Sequence, residues 1–195
     1  MAFLTTLELE AFGFKHFGKN VLISDKASVY GAHHISIGDN SRIDDFCILS
    51  AGSGGITIGR NVHIACYVSL IGQAAIEICD FAGISGKCSV YSSSDDFYGA
   101  AMTGPTVDAE FTNVQHQAVH IGRHSLIGAG CVILPGVDIA DGVAVGAMSL
   151  IARNCDAFSI YIGSPAKRVK ERSRNLLDIE KEYLKKIPNT DVSRS

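Results

Sequence analysis

The sequence has no surplus of positive charge, no CxxC pair and no apolar run of membrane length. Its 17 Lys and Arg are outnumbered by 20 Asp and Glu, for a net charge of -3. A polyanion binder is normally basic, so nucleic acid is not the expected partner. No stretch approaches the roughly 20 apolar residues of a spanning helix. The opening `MAFLTTLELEAF` carries acids and lacks the basic end and apolar run of a signal peptide, so a cytoplasmic location is expected. Six cysteines without that pairing suggest neither a disulfide framework nor a zinc knuckle. At 195 residues with 47% hydrophobic content, one domain can bury a core without such staples.

What is present is a repeat. Aliphatic residues recur every six positions, unbroken through Ile121, Ile127, Ile133, Ile139, Val145 and Ile151. The same phase appears upstream in triplets: Ile37, Ile43, Leu49; Ile58, Ile64, Leu70; Ile78, Ile84, Val90, with two or three extra residues between triplets. The fifth place of each hexad, from Ser41, Cys47 and Ser53 to Ala74, Ser94, Ser149 and Cys155, is always Ser, Cys, Val or Ala. A period of six fits neither helix nor simple strand alternation, so the chain turns a corner at each hexad and three corners close a triangle. The expected fold is mainly β, a parallel β-helix with stacked rungs, aliphatic side chains inside and small residues at tight corners. Cys47, Cys88, Cys131 and Cys155 take that small place and are expected as buried packing residues.

This pattern resembles the hexapeptide-repeat acyltransferases over residues 21–166. The resemblance implies a left-handed β-helix and a homotrimer. Residues 1–20 are expected as an N-terminal cap, with a short helix whose Thr5 and Glu8 have capping-box spacing. Residues 167–195 are expected as a C-terminal α-helix and tail, with apolar places at Val169, Leu176, Ile179, Tyr183 and Ile187 and a stop at Pro188.

The repeat breaks at `SSSDDFYG`. After Asp95, which closes one hexad, residues 96–120 have no place in it, and they hold Gly99, Gly104 and Pro105. A long loop on a rigid scaffold is a common site of function, and this one begins on paired carboxylates. It also suits a trimer contact. In the repeat phase Asp44, Ala65, Ser85 and Gly128 form one column, with His63 a rung below Gly83. His63, Ser85, Asp95 and Asp96 are therefore the candidate catalytic residues.

The segments `GFKHFGKNVLIS`, `RIDDFCILS`, `HIACYVSLIG`, `SSSDDFYG`, `GAGCVILPGV` and `YIGSPAKRVKER` are similar to a branch that includes nucleotide-sugar N-acyltransferases, such as those acting on dTDP-4-amino-4,6-dideoxyglucose for surface polysaccharides. The resemblance implies transfer of an acetyl or short acyl group from acyl-CoA to a sugar amine. A sugar amine is more nucleophilic than a hydroxyl and needs only a weak base, which paired aspartates supply. The proposed roles are Asp95 or Asp96 orienting the amine and taking its proton, Ser85 donating or relaying a hydrogen bond, and His63 in support. In galactoside and maltose O-acetyltransferases a catalytic histidine occupies the place of Gly130, so that base is absent. Small residues Gly128, Ala129, Gly146 and Ala147 leave room for an extended pantetheine. `GSPAKRVK` resembles the family's CoA-end motif, with Gly163 in it and Lys167 and Arg168 available to phosphates.

The residues also admit other readings. Sugar or galactoside O-acetylation is the main one. A zinc enzyme of the γ-carbonic-anhydrase type is suggested by His116, His120 and His124 in `HQAVHIGRH`, but a four-residue spacing suits a helix and this segment is expected to be extended, so no metal is predicted. A non-catalytic assembly module is the third. A nucleotidyltransferase is not expected, because the nucleotide-binding domain that normally precedes such a β-helix is missing.

Overall fold

The computed structural model describes residues 2–186. Six complete triangular coils and a partial seventh stack along one axis, and their strands form three sheets of six, eight and six strands, parallel throughout except for the last strand of the eight. The first face carries Ile35–Ile37, Ile56–Ile58, Ile76–Ile78 and Val119–Ile121 among its strands; the second Arg42–Ile43, His63–Ile64, Gly83–Ile84 and Leu126–Ile127; the third Ile48–Ala51, Ser69–Gly72 and Ser89–Tyr91. The hexad aliphatics stand in register, as in Ile43↔Ile64↔Ile84↔Ile127↔Val145. Nearly all are fully buried, and each contributes roughly 1.5–3 kcal/mol.

The small fifth-place residues do more than leave room. Cys47 Sγ donates to the Ala65 carbonyl, Cys88 to Gly128 and Cys131 to Gly146, each at 3.1 Å, while Ser41 Oγ donates to Gly59 at 2.7 Å. Each corner is thereby tied to the coil above it. The four fifth-place cysteines are buried. Burial pushes the Cys47 thiol up to about 11, which makes it a poor nucleophile.

The third corner departs from the fifth-place rule. Ser53 is exposed and Ala74 and Ser94 are only half-buried. The extra residues of each triplet lengthen this corner, and the first-face strands compensate by burying a second aliphatic residue: Ile35, Ile56, Ile76 and Val119.

At the N-terminal end, helix α1 (Thr6–Ala11) forms with the expected capping box: Thr5 N–H donates to Glu8 Oε2 at 2.7 Å and Glu8 N–H to Thr5 Oγ1 at 3.3 Å. Leu9 is turned into the core. At the other end the expected helix from residue 167 is corrected. Ala166–Glu171 is a strand that pairs antiparallel with Ser159–Gly163 and extends the second face; helix α2 begins only at Leu176 and runs to Lys186. Helix formers alone do not decide such a segment, because the open sheet edge offers its backbone partners. Ile187, the Pro188 stop and the tail expected after it lie outside the described residues. Among the described residues no helix is long and apolar enough to cross a membrane.

Candidate active site at two corners of the prism

The second corner carries the column read from the repeat. Asp44, Ala65, Ser85, Gly128 and Gly146 each follow an inward residue of the second face, and His63 is paired with Gly83 on the next coil. His63 Nε2 lies 2.9 Å from Asp44 Oδ2, and Arg42 Nε donates to Asp44 Oδ1 at 2.6 Å. Sequence reasoning placed Asp44 in the column but missed it as the partner of His63. Asp44 is 7% exposed. Burial by itself would raise its carboxyl, but the hydrogen bonds and charges of His63 and Arg42 outweigh that and hold it below the usual aspartate value. Among the described residues nothing hydrogen-bonds the Ser85 hydroxyl, which is half-buried and free for a ligand.

The backbone beside this column is in an uncommon state. Phe46, Tyr67, Lys87 and Met148 have φ between 59° and 64°, with Gly130 in the same row at 72°. Side chains there turn outward, and Phe46 and Tyr67 stack with ring centroids 5.0 Å apart. The place where related enzymes carry a histidine is thus a left-handed corner packed against Met148.

The two aspartates have different fates. Asp96 accepts from the backbone N–H groups of Tyr98, Ala100 and Ala101 at 2.8, 2.7 and 2.9 Å. These bonds, led by Tyr98, pull its pKa down. Its carboxylate is occupied by the loop backbone, unlike that of Asp95. Asp95 is exposed, with only a 3.3 Å contact from Gly104 N–H. It stands between two clefts of about 400 Å³ and about 620 Å³, the first bounded by Tyr91, Val132 and Leu134 of the third face and by Phe97.

Ser85 and Asp95 do not meet within one chain. Ser85 precedes the third face and Asp95 follows it, so a whole side of the triangle separates them. The loop leaves and returns through a short antiparallel ribbon, Ser93↔His116 and Ser94↔Gln115, and the parallel ladder resumes at Val119, two residues before the expected point. Phe97 and Tyr98 at its start are 90% and 100% exposed.

The three histidines of `HQAVHIGRH` are dispersed. His116 Nδ1 lies 2.8 Å from Ser93 Oγ; His120 faces Cys79 and Asp138; His124 Nε2 lies 2.8 Å from Glu180 Oε2 in α2. Arg123 pairs with the same Glu180, and Tyr183 meets Phe81 edge-on, so α2 folds back against the first corner.

At the expected CoA end, Gly128 is demanded by packing, since a Cβ there would lie 2.5 Å from Ala147 N. At Gly146 a Cβ would lie 2.4 Å from Ile162. Ala129 and Ala147 are exposed along the corner beside them. Lys167 and Arg168 line a cavity of about 550 Å³ with Arg153 and Tyr161, and Gly163 lies in the strand just before it. Arg168 is already engaged: its Nε donates to Ser159 Oγ at 2.8 Å.

Residues 118–153 match the family described as "Bacterial transferase hexapeptide (six repeats)". The chain is 48% identical over 180 residues to the dTDP-4-amino-4,6-dideoxy-D-glucose acyltransferase of Escherichia coli, covering 92% of this chain and 94% of that one. It is 25% identical over 151 residues to a putative lipopolysaccharide biosynthesis O-acetyl transferase, WbbJ, of Escherichia coli K12, covering 76% and 74%. Among solved structures, AntD, an N-acyltransferase from Bacillus cereus, superposes with a TM-score of 0.91 at 46% identity over 95% of this chain and 99% of that one. That structure is a serine-to-alanine mutant in complex with dTDP-4-amino-4,6-dideoxyglucose and Coenzyme A. An aspartate-to-alanine mutant of AntD binds dTDP and Coenzyme A, and a further AntD complex holds dTDP and 3-hydroxybutyryl-CoA. The mutated serine and aspartate are ten residues apart in AntD, the spacing that separates Ser85 from Asp95 here.

Proposed function

The chain belongs to the hexapeptide-repeat acyltransferases, in the branch of the dTDP-4-amino-4,6-dideoxy-D-glucose acyltransferases, and from that premise we propose that it moves an acetyl or short acyl group from acyl-CoA to the amino group of a dTDP-linked 4-amino sugar. The product serves surface polysaccharide synthesis in the cytoplasm. The observation that carries the reading is the pair Ser85, whose hydroxyl has no partner among the described residues, and Asp95, whose exposed carboxylate accepts one 3.3 Å bond from Gly104 N–H, on the two corners that flank the third face.

That face turns Ile48, Ile71, Tyr91, Val132, Leu134 and Leu150 outward, interleaved with Ser50, Ser69 and Ser89. In a homotrimer with this face toward the three-fold axis, the Ser85 corner of one copy meets the Asp95 corner of the next. Burying the exposed Phe97 and Tyr98 against the neighbour favours the same arrangement. The active site is then shared between copies.

In this site Asp95 orients the sugar amine, and Ser85 donates a hydrogen bond to the reacting group. Attack forms the C–N bond, which makes the nitrogen's remaining protons strongly acidic, so a carboxylate is a sufficient base. Collapse of the tetrahedral intermediate breaks the C–S bond, and the proton leaves with the CoA thiol. His63, held by Asp44, supports the Ser85 corner. Ala129, Ala147 and Lys167 bound the path of the acyl-CoA.

The test mixes two inactive variants. Ser85→Ala and Asp95→Asn homotrimers are each expected to lose most thiol release with acetyl-CoA and dTDP-4-amino-4,6-dideoxyglucose. Subunit exchange between them should restore part of the rate, because hybrid trimers contain one intact composite site. No recovery after proven exchange would remove the shared site, and turnover of galactosides alone would sink the amine acceptor.

A further inference from the structure

We propose that Glu77, Cys79 and His120 bind one thiophilic divalent cation of the zinc type on the first face, with Asp138 orienting the histidine. Among the described residues this is the one place where three metal-ligating side chains converge, their ligand atoms all within 4.8 Å of one another. The convergence follows from the fold. Glu77 and Cys79 flank inward Ile78, so strand alternation turns both outward. His120 is the register partner of Glu77, and Asp138 is the partner of His120 on the following coil.

The geometry fits a tetrahedral ion. Cys79 Sγ lies 3.3 Å from His120 Nε2. A zinc ion at its usual distances from sulfur and imidazole nitrogen would separate those atoms by about 3.6 Å, a shift of a few tenths of an ångström. His120 Nδ1 lies 2.8 Å from Asp138 Oδ1, the outer carboxylate contact that leaves Nε2 as the coordinating nitrogen. A thiolate, an imidazole and a carboxylate suit zinc rather than magnesium or calcium. Coordination expels the thiol proton to solvent, and water completes the shell.

The same atoms also trace the thiol, imidazole and carboxylate of a nucleophilic triad. Glu77 decides against that reading, because a second carboxylate beside the sulfur opposes a free thiolate and favours a cation. The site departs from the metal-free expectation of the sequence. It is set apart from Ser85, since the first face lies opposite the corner between the second and third faces. Glu77 and Cys79 precede the loop and His120 follows it, so a bound ion would tie together the two coils between which the loop departs.

Chelator-treated full-length protein should bind Co²⁺ or Zn²⁺ at one equivalent per chain. A thiolate-to-cobalt charge-transfer band and a rise in Tm should accompany binding. Cys79→Ser and His120→Gln should abolish the band while melting like the metal-free wild type. Asp138→Asn should weaken binding by about 10–100-fold. Cys66→Ser, which alters the exposed cysteine of the second corner, should change nothing. Absence of saturable binding, full binding by Cys79→Ser, or loss in Cys66→Ser would overturn the proposal.

Discussion

His63 Nε2 and Asp44 Oδ2 are 2.9 Å apart on adjacent coils, with Arg42 bonded to the other Asp44 oxygen. The contact fixes one imidazole nitrogen of His63. Asp44 thus holds the His63 ring in place.

Its carboxyl is held below the ordinary value of 3.8. Asp44 therefore adds stability that is fully present above that value and is lost as pH falls through its lower folded one. Asp44→Asn should flatten the acid limb: between about pH 5 and pH 2 the wild type should lose more denaturant stability than the variant. At neutral pH the variant should lower kcat with little change in KM for acyl-CoA. An unchanged kcat would confine the contact to stability.

Asp95→Asn should cut kcat by about 10²–10⁴-fold, the usual range for removing a proton-transfer group. Tm and CoA affinity should stay near wild type, since the carboxylate makes one long contact. Asp96→Ala should behave differently. Three backbone N–H groups lose their acceptor, so limited proteolysis within residues 97–114 should accelerate, and activity should fall with loop order.

Gly130→His restores the residue type of the O-acetyltransferases at that place but should not restore their activity. A non-glycine residue at φ 72° costs about 1–2 kcal/mol, and the Cβ would start 2.5 Å from Met148 Sδ. Exposed Met148 can move, so the expected result is a modest drop in Tm without galactoside acetylation.

Lys167→Ala and Arg168→Ala should separate binding from stability. Among the described residues Lys167, which faces the cavity, has no bond to another side chain, so its loss should raise KM for acyl-CoA and leave Tm alone. Arg168 ties its strand to Ser159, and its loss should cost about 1 kcal/mol in denaturant melts.

The period of six was enough to reveal the coils, because each buried Ile is forced by its own position and by the rung above it. The limits of that legibility are equally specific. The hexad rule fails at Ser53, Ala74 and Ser94, where extra residues change the corner. `AKRVKE` has helical composition, yet its backbone completes an exposed sheet edge. Asp44 and His63 are diagonal neighbours, one residue after and one before successive inward isoleucines, a relation that a column reading of the repeat does not show. Adjacent carboxylates carry no mark of which one accepts the loop's N–H groups, so the bonds that Tyr98, Ala100 and Ala101 give Asp96 were not legible. Ser85, Asp95 and His63 were recoverable as candidates, whereas the separation of Ser85 from Asp95 required the triangle itself.

Ile78 pairs with Ile121 as directly as Ile58 pairs with Ile78. The ladder closes over the departure of the loop as though nothing had been inserted. Residues 97–114 are therefore a cassette whose length and sequence can vary without altering a rung, whereas Asp95, Asp96 and Gln117, whose carbonyl accepts from Gly136 N–H at 3.3 Å, stay with the scaffold. An enzyme built this way can change its acceptor by exchanging one segment, while inheritance of the scaffold and of its acyl donor continues undisturbed.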